Sequence, residues 1–107
     1  MYLQIDIRPE RPVVTLEEPD DCTRFHLAVV GGRDIGRVFG ALVDAAAGRL
    51  EDDHALITID AVRRMAAGRV ADDWDVRFDA MLDYARTKGW IDETNNAIQA
   101  HVEYEES

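Results

Sequence analysis

DDWDVRFDAMLDYARTKGW (72–90) holds both tryptophans of the chain, one near each end, with an unbroken helical pattern between them. Trp74, Phe78, Met81, Leu82 and Ala85 recur at the spacing of one α-helical face. Asp72 or Asp73 can cap the start, and Asp75 suits the positive end of the helix dipole. Gly89 supplies the left-handed residue that stops the helix. Trp90 follows it, where an apolar side chain folds back on the last turn. The spacing therefore predicts a long helix near residues 73–88 that acts as scaffold and carries no obvious chemistry.

Upstream of this helix the period is different. Leu3, Ile5 and Ile7 alternate with Tyr2, Gln4 and Asp6, the pattern of a half-buried strand. Pro9 and Pro12 interrupt it, and Val13 to Leu16 reads as a second, shorter strand. EEPDD (17–21) is a turn. Phe25, Leu27 and Val29 alternate with His26, Ala28 and Val30 as a third strand. Short connections between the three suggest an antiparallel meander.

From Ile35 the period becomes helical through Ile35, Val38, Phe39, Leu42, Val43 and Ala46, with Asp34 as N-cap and Gly48 as stop. Gly36 and Gly40 lie on this helix at a cost of ~1 kcal/mol each, which makes sense if something packs closely there. Ala55 to Ile59 is extended, and Thr58 or Asp60 opens a short helix through Ala67. After the long helix, Asp92 caps a last one whose inner pair is Ile98 and Val102.

The expected fold is a single α+β domain over residues 1–107. A small N-terminal antiparallel sheet of about three strands is covered on one face by about four helices. The uncovered face carries Tyr2, Gln4, His26, Ala28 and Val30. Its apolar stretch at 28–30 makes Tyr2, His26, Ala28 and Val30 candidate interface residues. Periodicity leaves open whether a further segment or a partner covers them.

The chain has 107 residues, with 22 acids against 12 bases and a formal charge of -10. That balance excludes a phosphate backbone as the obvious partner and disfavours an anionic membrane. Eleven of the bases are Arg, the codon habit of a GC-rich bacterial genome. MYLQIDIRPE lacks the apolar core of a secretory signal. No run is long enough to span a membrane, and Cys22 is alone, so the expectation is a cytoplasmic protein.

Candidate chemistry is thin. VVGGRDIGRVFG (29–40) has a Gly-rich strand-to-helix turn, but Arg33 stands where a dinucleotide fingerprint needs its middle Gly. A tight junction is the preferred reading, with anion binding by Arg33 and the helix N-terminus as the alternative. EDDH (51–54) lacks the alternation and Gly of a calcium loop and reads as a solvated turn. Asp75, Asp79 and Asp83 share a helix face without the histidines of a carboxylate metal site. His26, His54 and His101 are scattered along the chain. Cys22 has no local nucleophile signature. No catalytic set, metal site or cofactor is expected.

Residues 61–71 form a basic island with Arg63, Arg64 and Arg69 and no acid. Pairing with acids of the same chain is the default. Reception of an acidic protein partner or an anion is the functional alternative. The expected function is a non-enzymatic interaction or regulatory module that self-associates, most simply as a dimer. The alternative is a small-molecule or anion-binding domain, or minor enzyme, built on the 31–36 turn and nearby arginines.

Overall fold

The computed structural model describes residues 1–51 and 54–105. In chain order these form β1 (Tyr2–Asp6), β2 (Val13–Glu17), β3 (His26–Val30), α1 (Ile35–Asp44), β4 (Gly48–Glu51), β5 (His54–Thr58), α2 (Ile59–Ala66), α3 (Trp74–Thr87), β6 (Ile91–Asp92) and β7 (Ala97–Glu105). The strands make one mixed sheet in the order β2-β1-β3-β7-β5-β4, with β6 also pairing with β7. β1, β3 and β7 are mutually parallel, and the remaining pairings are antiparallel.

This overturns the expectation of a three-stranded meander under four helices. Among the described residues there are seven strands and three helices. The predicted last helix is β7, the strand at the centre of the sheet. Ile98 and Val102 are four apart, a spacing that fits one face of a helix and equally one face of a strand. Ala100 and Tyr104 fill the positions between and beyond, and Ile98, Ala100 and Val102 are all buried.

Asp92 does bind backbone amides, from Thr94 at 3.1 Å and Asn95 at 3.3 Å. An N-cap and an Asx-turn make the same bonds, and here they open a hairpin closed by Asn96 at φ 51°. The meander fails at 18–25. This segment carries the chain past β1, and Asp21 accepts from the Met1 amine at 2.8 Å. β3 then enters beside β1 in parallel, away from β2.

The long helix is where the pattern put it. Trp74, Phe78, Leu82 and Ala85 are its buried residues. Its end is the expected left-handed stop: Gly89 has φ 77°, and the Trp90 and Gly89 amides donate to Ala85 and Arg86 carbonyls at 3.0 and 3.2 Å. Asp73 is the N-cap residue but its side chain makes no capping bond. Asp34 caps α1 through the Arg37 amide, and Thr58 caps α2 through Ala61.

Gly48 has a role other than the expected helix stop. It lies in β4 at φ 146°, and a Cβ there would collide with the Leu56 carbonyl across the strand pair. The turn after α1 is made instead by Ala46 at φ 52°.

All three helices lie on one side. Their buried residues join Leu3, Ile5, Leu27, Val29, Ile57 and Ile98 in a single core. The sheet wraps around them, since α1 touches both β2 and β4, the two edge strands. Ala28 and Ala97 are the buried apolar residues outside that core, because they point to the opposite, open face.

Candidate functional site

Strand register gives the open face its content. Tyr2 pairs with Glu17 and His26, His26 with His101, His101 with His54, and His54 with Glu51. All three histidines of the chain therefore stand in one row across adjacent strands. Directly opposite residues on adjacent strands have Cβ atoms about 5 Å apart, so the three imidazoles are neighbours on the face. The Tyr2 and His26 rings stack with centroids 4.9 Å apart. His26 Nε2 lies 3.2 Å from Glu103 Oε2, which fixes that ring on its outer side.

Beside His101 the face opens into a cleft of 270 Å³ lined by Phe25, His54, Trp90, Gln99 and His101. The stop of α3 delivers Trp90 to it. The Trp90 carbonyl accepts from the Gln99 amide at 2.7 Å, which sets the indole next to β7 on the open side. Trp90 is 42 % exposed, unlike the buried Trp74. Tyr84 meets it edge-on at 6.1 Å, and Lys88 lies over the Tyr84 ring at 5.5 Å. The strand residues sharing this face include Asp6, Glu17, Glu51, Asp92, Glu103 and Glu105, against Arg49. Arg49 itself is held by Glu51 at 2.8 Å and Asp92 at 3.8 Å.

The interface candidates Tyr2, His26, Ala28 and Val30 are side by side on this face. Ala28 is only 2 % exposed, sheltered by its longer neighbours Gln4 and Glu103. The arginine candidates do not contact one another as a cluster; each has its own partner. Arg63 binds Asp75 at 3.2 Å and Asp79 at 2.7 Å and covers the Phe78 ring at 4.9 Å. Arg64 donates to the Ala45 carbonyl at 2.9 Å, and Arg69 to Met65 at 3.4 Å. Arg33 lies over the Tyr104 ring at 4.7 Å.

The 31–36 turn is tight because Gly31, at φ 110°, lies against Arg8, whose Cγ would be 2.7 Å from an added Cβ. Asp34 puts its own carboxylate on the α1 N-terminus. Cys22 is half-buried, and burial pushes its thiol above the ordinary value, away from an activated nucleophile. It lines a separate 500 Å³ cleft with Arg77, Met81 and Tyr84.

In EDDH, Asp52 and Asp53 lie outside the described residues. Among the described residues no group of three His, Cys, Asp or Glu is placed to hold a metal ion. No described helix is long and apolar enough to cross a membrane. The histidine row is the feature the sequence reading missed. Its only local signal is that each histidine sits in an alternating stretch at the polar phase. No family model, curated protein or solved structure matches this chain.

Proposed function

We propose that this protein is a non-enzymatic interaction module that self-associates through the outer side of α1. The observation that supports this is a second apolar stripe on that helix. Val38, Ala41 and Leu42 face the core, while Ile35, Phe39 and Val43 are 52 %, 48 % and 55 % exposed. They stand one turn apart as a ridge. Next to them runs a groove made by Gly36 and Gly40. No atom lies within 4 Å of a Cβ built on Gly40, and only the side chain of Asp34 approaches one on Gly36. Among the described residues, only the Asp34 side chain reaches the groove that the two glycines open.

A ridge beside a groove of the same four-residue spacing is self-complementary. A two-fold axis across α1 sets the ridge of each copy into the groove of the other, the commonest mode of helix packing. The second copy is thus the occupant that the shape favours. The three half-exposed side chains offer about 250–300 Å² per copy, or roughly 14 kcal/mol of gross burial for the pair. Association costs on the order of 8 kcal/mol, leaving a Kd of tens of micromolar. At the centre of the open sheet face Ala28 is already covered. A cytoplasmic setting belongs to the same reading, on the strength of a lone cysteine.

Sedimentation equilibrium across about 10–500 μM tests it, a range that brackets the expected Kd. The 12.1 kDa chain should shift toward a dimer as concentration rises, and Phe39→Asp should stay monomeric with an unchanged circular dichroism spectrum. A wild type that is monomeric throughout would overturn the reading. So would a Phe39→Asp variant that still dimerises while Tyr2→Asp does not, which would move the contact to the open face.

A further inference from the structure

The cleft at the histidine row is too small and too particular in its lining to be explained by the α1 contact. At about 30 Å³ per water-sized group, 270 Å³ holds roughly nine such groups, one ring with a short arm. Two of its walls are aromatic, Trp90 and Phe25, and its floor offers the Gln99 amide and the His101 imidazole as hydrogen-bonding groups. The α3 stop and the Gln99 backbone N–H hold the Trp90 main chain beside β7, and Tyr84 meets the indole edge-on.

Charge decides the class of ligand. Glu51 and Glu103 flank the row that borders the cleft, and Asp92 adds a third carboxylate on the same side of the sheet. Among the bases around it, Arg49 is held by Glu51 and Asp92, Lys88 is seated on Tyr84, and Arg24, next to Phe25, is paired with Asp21. The molecule as a whole carries -10. This field repels carboxylates and phosphates and draws cations. An indole face is the strongest of the side-chain rings for a cation within about 6 Å. Lys88 over Tyr84 already shows an ammonium resting on a ring of this aromatic cluster.

We propose that the cleft bounded by Trp90, Phe25, Gln99 and His101 binds a small organic ammonium ion, with the cation against the indole and a short apolar arm against Phe25. The Gln99 side-chain carbonyl oxygen and a ring nitrogen of His101 accept hydrogen bonds from the ammonium. The proposal stands apart from self-association, because α1 contributes nothing to this cleft.

The test is a ¹H–¹⁵N NMR titration of the full chain with benzylammonium, and in parallel with benzyl alcohol and benzoate. Benzylammonium should shift the Trp90 indole N–H and the Gln99 and His101 amides saturably, with a Kd of about 1–5 mM for so few heavy atoms. Benzyl alcohol should bind at least about 5-fold more weakly and benzoate not measurably, since all three share the phenyl ring and only the first carries a positive charge. Trp90→Ala should weaken benzylammonium about 10-fold, with the buried Trp74 indole resonance unmoved as the folding control. His101→Ala, at an exposed position, is the second variant and should weaken it as well. Benzoate binding as well as benzylammonium, the absence of saturable shifts up to about 20 mM, or Trp90→Ala binding unchanged would each overturn the proposal.

Discussion

Trp74→Ala is the substitution that bears hardest on the fold. The indole is 3 % exposed and stacks on Phe78 with centroids 4.6 Å apart and planes 10° from parallel. Its Nε1 donates to the Pro19 carbonyl at 2.6 Å, tying α3 to the segment that crosses past β1. Truncation removes about 200 Å² of buried surface, near 5 kcal/mol by area, and a ring pair worth a further ~1 kcal/mol. Partial collapse of the site returns some of this, so the expected loss is about 3–5 kcal/mol. A chain of 107 residues holds roughly 5–15 kcal/mol in all. The variant should therefore unfold at a urea midpoint lower by about 2 M or more, for a slope near 1–2 kcal/mol/M. Circular dichroism is the assay, since the substitution removes the buried fluorescent reporter and leaves only the half-exposed Trp90. Trp74→Phe keeps a ring and loses the N–H, and should cost about 1–2 kcal/mol. An unchanged midpoint for Trp74→Ala would refute the packing argument, and equal losses for both variants would mean that the Pro19 bond carries the effect.

Gly48→Ala should be among the most damaging small changes, by more than about 2 kcal/mol in a thermal melt, because it sets a methyl group against the Leu56 backbone at a positive φ. Gly40→Ala, in open space within a helix, should stabilise by ~1 kcal/mol in the monomer. If the two behave alike, the β4–β5 approach is not as close as described. Acid should also weaken the fold. Hydrogen bonds from Arg8 hold the Asp6 carboxyl down to about 2. The Ala71 amide, then Arg77, lowers Asp20, and Asn95 lowers Asp92. A folded-state value below the ordinary one gives stability that is present above about pH 4 and lost as pH falls toward 2. Melting temperature should be level near neutrality and fall across that window, more shallowly in Asp20→Asn. A pH-independent melt from about 5 to 2 would contradict this.

What could be read in advance was whatever depended on near neighbours. The face Trp74, Phe78, Leu82 and Ala85, the Gly89 stop, the Asp34 and Thr58 caps and the strands β1, β2, β3 and β5 each follow from spacing over a dozen residues or fewer, whereas β4 lay in a stretch read as a helix stop and a polar loop. β7 failed because Ile98 and Val102 satisfy two periods at once, and because Asp92 makes the same local bonds at a hairpin as at a helix start. Misreading this nine-residue stretch separated the two halves of the sheet, since β7 is the strand that joins β3 to β5.

The same error hid the site. His26, His54 and His101 are separated by 28 and 47 positions (54 minus 26, and 101 minus 54), and nothing local links them. They meet because β7 lies parallel to β3 and antiparallel to β5, with both registers crossing at His101. A slip of one residue in either pairing would send one imidazole into the core, where Val102 or Ala100 now packs. Burying it there unpaired would cost about 1–3 kcal/mol on top of the lost packing. The hydrophobic phase that selects the register therefore also selects the row: Leu27, Ala55 and Val102 must face the helices, and their neighbours His26, His54 and His101 must then face outward together. The imidazole alignment follows from core formation, so a variant that keeps the core but removes His101 should keep the fold and lose only what the cleft can bind.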